Sequence, residues 1–134
     1  MLSAPEISQA GARVLDPILS REDRLAALQR AFFAHSNDAR VWEHGWYFDI
    51  APAQRAAMNR TPLADWWRGG VAPILVLQGK EDINAVPENA KRLAAEFPNR
   101  VTVVEIPDSG HAMLPEQPER IATAVLTYLR RTLP

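Results

Sequence analysis

Apolar positions along this chain fall into two patterns, and the change between them comes near residue 70. Before it the spacing is helical. Residues 5–15 carry a weak amphipathic pattern, and a stronger one begins at Ser20-Arg21-Glu22-Asp23, which resembles a capping box with a short Asp in the last place. Leu25, Leu28, Phe32 and Phe33 then line one helical face, and the pattern fades near Ala34, ahead of the turn-forming Ser36-Asn37-Asp38. Residues 52–60 predict a short helix that Thr61-Pro62 breaks. After Arg68-Gly69-Gly70, which reads as a hinge, two short apolar runs at 74–77 and 101–106 predict buried strands. Between them residues 87–97 have helical spacing, with Ala90, Leu93, Ala94 and Phe97 on one stripe. Strand, helix, strand in that order predicts a parallel βαβ unit. A last helix over 118–132 opens on Pro118, where the missing N–H costs nothing, and presents Ile121, Ala124, Val125, Tyr128, Leu129 and Leu133 as a buried stripe.

The totals exclude more than they select. A length of 134 residues suits one domain with a real core, and 47% hydrophobic against 23% charged residues is an ordinary globular composition. A formal charge of −1 gives no reason to expect a nucleic-acid or anionic-membrane partner. With no cysteine, disulfides, thiolate nucleophiles and Cys-containing metal sites are ruled out. The first ten residues show neither a basic nor an apolar leader segment, and the uncharged stretch between Arg68 and Lys80 is too short to span a bilayer. A cytoplasmic protein is the expectation. All four tryptophans (Trp42, Trp46, Trp66, Trp67) lie between residues 41 and 67 with Tyr47 and Phe48. They are read chiefly as the cover of a small helical layer, the other reading being an apolar substrate pocket.

Candidate chemistry sits on the loops after the two strands. The first strand runs into Gly79-Lys80-Glu81-Asp82 and the second into Ser109-Gly110-His111. Loops at the carboxyl ends of parallel strands share one edge of the sheet, where open α/β sheets hold their sites. Each residue alone has an ordinary reading: Asp is common in turns, and a single His is as often packed or solvated as functional. Together they support one another. A histidine near neutral pKa can take a proton from a hydroxyl and return it to a leaving group. A carboxylate on its other nitrogen fixes the tautomer and stabilises the imidazolium. Asp82 and His111 are therefore the candidate catalytic residues, with Glu81 as a neighbouring acid.

The stretch resembles the α/β-hydrolase-fold family. Ala72-Pro73 leading into Ile74-Leu75-Val76-Leu77 and Gly79-x-x-Asp82 matches the family's acid-bearing strand, Pro87-Glu88 its next helix, Gly110-His111 its histidine and Glu116-Gln117-Pro118-Glu119 the opening of its last helix. The resemblance implies that Asp82 is the triad acid and His111 the base of a serine-type hydrolase acting on ester, thioester or amide-like small molecules, with no cofactor and no metal. It implies an α/β fold, a partial α/β-hydrolase in which a helical, lid-like region (1–70) precedes a βαβα core part (71–134). The motif-bearing frame covers residues 71–134.

The family's order is nucleophile, acid, histidine. Nothing before Asp82 resembles Gly-x-Ser-x-Gly, and no serine of the chain, Ser109 included, sits in a strand–Gly-x-Ser-x-Gly–helix context. The resemblance thus leads to the expectation of a C-terminal half carrying acid and histidine but no nucleophile, inactive alone. Its expected partners are a missing N-terminal half or further copies joined through an exposed sheet edge. The alternative is a non-enzymatic interaction or assembly module derived from a hydrolase. A phosphoacceptor or metal-dependent domain using Glu81 and Asp82 is disfavoured, since no second acidic cluster or Gly-rich phosphate loop accompanies them. His35, His44 and His111 show no metal-ligand spacing.

Overall fold

A computed structural model describes residues 11–45 and 50–132. The part of the 5–15 pattern up to residue 10, and Trp46, Tyr47 and Phe48, lie outside the described residues; residues 11–14 are helical. Helix α1 is Arg21–Phe32. At its start the Ser20 hydroxyl accepts from the Asp23 N–H (3.1 Å) and donates to the Asp23 carboxylate (2.7 Å), so the short Asp closes the cap on the hydroxyl. Arg24 holds the preceding turn by donating to the carbonyls of Val14 and Asp16 (3.1 Å each). The buried face is made by Ala27, Leu28 and Ala31, continued by Phe33 and Ala34. Leu25 and Phe32 of the expected stripe are only half-buried. Small residues win the centre because the chain after α1 packs close against the helix.

A 3-10 turn, Ala39–Trp42, follows, capped by Asp38, whose carboxylate accepts from the Arg40 N–H (2.9 Å). It folds Trp42 back onto α1, edge-on to Phe33 (centroids 5.3 Å apart, 81°) and tilted on Phe32 (5.8 Å). Val14, Leu28, Phe33, Ala39 and Ala112 complete this core. Full burial of Leu28 alone is worth about 2 kcal/mol. Helix α2 (Ile50–Arg60) buries no residue, and α3 (Leu63–Trp66) is a single turn after Pro62.

Strand β1 (Ile74–Gly79) pairs in parallel with β2 (Val101–Ile106), with Ile74 opposite Val101 and Gly79 opposite Ile106. Helix α4 (Pro87–Glu96) makes the crossover, with Pro87 in its first turn and Ala90 buried. The predicted βαβ unit is therefore present, and none of the described residues before 71 is in a strand. Arg100 ties the hinge to the sheet by donating to the carbonyls of Arg68 and Gly70. One short helix, α5 (Met113–Glu116), precedes the last helix, α6 (Pro118–Thr132).

The expected burial of the α6 stripe does not hold. Ile121, Ala124, Val125 and Tyr128 are half-buried, Leu129 is 40% exposed, and Leu133 lies outside the described residues. Two strands give a surface narrower than the apolar stripe of a 15-residue helix, and a groove of about 600 Å³ opens between β2 and α6. The whole is an α/β fold with a small parallel sheet and surrounding helices. No helix among the described residues is long and apolar enough to cross a membrane.

Candidate active site

The two strands do not stop pairing where their ladder ends. The Lys80 N–H donates to the Ile106 carbonyl (3.0 Å) and the Glu81 N–H to the Ser109 carbonyl (2.9 Å), stitching one loop to the other. Such close approach needs a backbone without side chains. A Cβ on Gly79 would lie 2.2 Å from the Gly110 oxygen, and one on Gly110 would lie 2.7 Å from the Phe32 oxygen. Asp82 and His111 are thereby delivered side by side.

The Asp82 carboxylate is 4% exposed and fully engaged. Its Oδ1 accepts from the N–H groups of Asn84 (2.9 Å) and Ala85 (2.7 Å), and its Oδ2 lies 2.9 Å from His111 Nδ1. The turn role that an isolated Asp would play and the pairing with His111 are thus both performed, one by each oxygen. An ionised carboxylate only accepts, so Nδ1 carries hydrogen and a neutral ring keeps its lone pair on Nε2. His111 is 40% exposed at its side chain and tilts against the Phe32 ring at 5.8 Å. The hydrogen bond to Asp82 raises its pKa above the ordinary imidazole value; partial burial opposes this, and the negative charges of Asp82 and Glu116 add to it. Such an arrangement can accept a proton at Nε2 while Nδ1 stays anchored to Asp82.

The remaining candidates take other places. Ser109 is completely buried, and its hydroxyl faces the Gly110 carbonyl (3.5 Å) and the Glu116 carboxylate (3.4 Å). Among the described residues no group of three or more His, Asp or Glu is placed to hold a metal. The tryptophans divide: Trp42 covers core, whereas Trp66 and Trp67 line a cavity of about 310 Å³ shared with Leu93, Met113, Asp82 and His111. Trp67 is fixed there by donating to the Glu96 carboxylate (2.6 Å). Glu116, read from sequence only as part of a helix opening, accepts hydrogen bonds from the Gly110 N–H of the histidine loop and from the Ala34 N–H after α1. No local spacing announces that, since one of its partners, Ala34, is 82 residues away.

A profile of the alpha/beta hydrolase family matches residues 2–124. The chain belongs to that family. A Mycobacterium tuberculosis protein named as a non-heme bromoperoxidase, BpoC, is 29% identical over 86 residues, which are 62% of this chain and 32% of that protein. Its crystal structure superposes with a TM-score of 0.58 at 20% identity, covering 92% of this chain and 50% of the other, a likeness of fold. A thermophilic esterase from Thermogutta terrifontis superposes with a TM-score of 0.57 at 26% identity, covering 96% of this chain and 52% of its own. The chain therefore spans about a third of the length of the curated relatives it matches and half of these two structures.

These matches correct one expectation. The likeness is not confined to residues 71–134, and the reading of the chain as a C-terminal remnant, or as a module derived from one, falls with that boundary, because the family match begins at residue 2. The reason lies in how each region is specified. The core part repeats motifs of fixed spacing, whereas the helical region is specified by apolar periodicity that many residue combinations satisfy.

Proposed function

We propose that Asp82 and His111 are the acid and base of a hydrolytic site for ester-type small molecules with an apolar acyl part. The observation that carries this reading is the 2.9 Å contact between Asp82 Oδ2 and His111 Nδ1, with Asp82 Oδ1 held by two backbone N–H groups. Both groups are fixed before any substrate arrives, which is what general-base catalysis needs. His111 takes the proton of the attacking hydroxyl at Nε2 and returns it to the leaving alkoxide, while Asp82 holds the ring and its transient charge. The family's attacking hydroxyl is a serine's, but Ser109 turns its oxygen to Glu116 and no serine of the chain sits in a Gly-x-Ser-x-Gly context, so in this reading His111 activates a water molecule as the attacking hydroxyl.

The apolar cavity bounded by Trp66, Trp67, Leu93 and Met113 opens on His111 and suits the acyl chain of such a substrate. In this reading residues 1–70 act as a lid-like region for the 71–134 core part, with Trp66 and Trp67 as its contribution to the pocket. The esterase neighbour, at 26% identity, supports the ester class. The test is hydrolysis of a series of p-nitrophenyl esters by the protein, His111→Ala and Asp82→Asn. His111→Ala should fall to background and Asp82→Asn should lose about 10²–10⁴-fold in kcat. Equal rates in wild type and His111→Ala, at background or above it, overturn the proposal.

A further inference from the structure

We propose that Glu116 is the positioning residue of the site, its carboxylate fastening the loop that carries His111 to the turn after α1 and so setting the ring against Asp82. Oε2 accepts from the Gly110 N–H (2.8 Å) and the Ser109 hydroxyl (3.4 Å), the two residues immediately before His111. Oε1 accepts from the Ala34 N–H (2.7 Å) and the Asn37 amide (2.8 Å), in the turn that follows α1. One half-buried carboxylate therefore bridges two segments that no strand pairing joins. All four partners are neutral donors fixed in the backbone or on short side chains. They define where both oxygens must sit, unlike a flexible lysine or arginine partner.

The loop it holds also turns through a left-handed residue. Asp108 is the one non-glycine among the described residues with positive φ (53°). Its carbonyl is gripped by the Asn37 amide and the Gln117 amide, both at 2.9 Å. Asn37 thus bonds both Glu116 and Asp108, and on the far side of His111 the Ala112 N–H is held by the Phe32 carbonyl (2.8 Å). Around the histidine, then, the Gly110 N–H is tied to Glu116, the Ala112 N–H to the end of α1, and the Ser109 carbonyl to the Glu81 N–H. The negative charge of Glu116 also lies close enough to favour protonated His111, in the same direction as Asp82.

Glu116→Gln preserves shape but replaces one oxygen by an NH₂ that must face one of the N–H donors, and it removes the charge. The inference rests on the hydrolytic reading only for its effect on turnover. The primary readout is therefore His111 itself, in the whole chain, by NMR titration of its ring and by the low-field Nδ1–H resonance of its bond to Asp82. The charged groups that face His111 are Asp82 from the loop after β1 and Glu116 from α5; α1 contributes the neutral Phe32 ring. In Glu116→Gln the His111 pKa should fall, by less than in Asp82→Asn, and the Nδ1–H resonance should broaden or vanish. Where esters are turned over, kcat should drop about tenfold to a hundredfold with KM little changed. If Glu116→Gln does not fold, Asn37→Ala, which removes one donor and one grip on Asp108, should weaken the Nδ1–H resonance and lower kcat by a smaller factor. A folded Glu116→Gln with wild-type His111 titration and Nδ1–H resonance overturns the inference, as does an unchanged Asn37→Ala should the first variant be unfolded. A protein without ester turnover whose His111 signals still respond to Glu116→Gln would refute the hydrolytic reading and leave the positioning role standing.

Discussion

Substituting alanine for Gly79 adds one methyl group at a backbone crossing that has no room for it. The new Cβ would stand 2.2 Å from the Gly110 oxygen and 2.7 Å from the Ser109 oxygen. Ordinary contact begins at 3.4 Å, so one loop must retreat by about 1 Å. The histidine loop cannot be the one to move, because Gly110 is itself pressed against the backbone of Phe32 to Ala34. The Asp82 loop moves instead, losing the Glu81 to Ser109 bond and stretching the Asp82 to His111 contact from 2.9 Å to beyond hydrogen-bond range. Crowding of this kind costs about 1–3 kcal/mol. For a chain of this size that is a drop of roughly 4–12 °C in Tm. Misplacement of about 1 Å at a reacting group costs on the order of 10² in kcat. Thermal melts, ester turnover and the His111 titration read all three. Gly11→Ala is the control: its Cβ would meet only the Phe32 ring at 3.7 Å, in a helical turn, and should leave stability unchanged or raise it by up to about 1 kcal/mol. A Gly79→Ala protein with wild-type Tm and an unaltered His111 titration would refute the reasoning.

Three further outcomes are expected. Because the folded-state pKa of His111 is raised, its stabilising contribution is complete below the ordinary imidazole value of about 6.5 and is lost as pH climbs through the higher folded value. Urea melts of wild type minus His111→Ala should show a difference that shrinks over that window, and a difference that grows with pH would contradict the pairing. Trp66→Ala should raise KM for long-chain acyl esters about tenfold while leaving acetate esters nearly untouched, from loss of apolar contact in the cavity; equal effects on both would remove Trp66 from the pocket. Among the described residues each strand has a single neighbour, so each presents one unpaired edge, and we propose that the chain self-associates there. Sedimentation velocity across a concentration series should show reversible growth, and one unchanging monomer boundary would exclude it.

The strands, the crossover helix and the acid–histidine pair are legible in sequence because each is written locally: apolar runs, Pro87 at a helix start, polar loops at strand ends. What escaped is what depends on distant backbone. Glu116 earns its place through N–H groups of Ala34 and Gly110, and no periodicity points from a helix opening to a turn 82 residues earlier. Ala27, Ala31 and Ala34 were overshadowed by Leu25 and Phe32, since hydrophobicity favours large side chains whereas close packing against α1 favours small ones. The tryptophans illustrate the same limit. Composition groups Trp42 with Trp66 and Trp67, but the 3-10 turn sends the first into the core and the hinge at 68–70 keeps the other two beside the sheet.

The bond from the Ala112 N–H to the Phe32 carbonyl gives the last turn of α1 a second occupation. A helix end ordinarily frays on its own, cheaply and often. Here fraying would also free the Ala112 N–H beside His111, so the end of α1 and this side of the histidine loop loosen together. Amide exchange at Phe33, whose N–H bonds the Gln29 carbonyl, and at Ala112 should therefore proceed at matched rates, well slower than at the exposed α2 helix. The helix end thus serves as a brake on local opening beside His111.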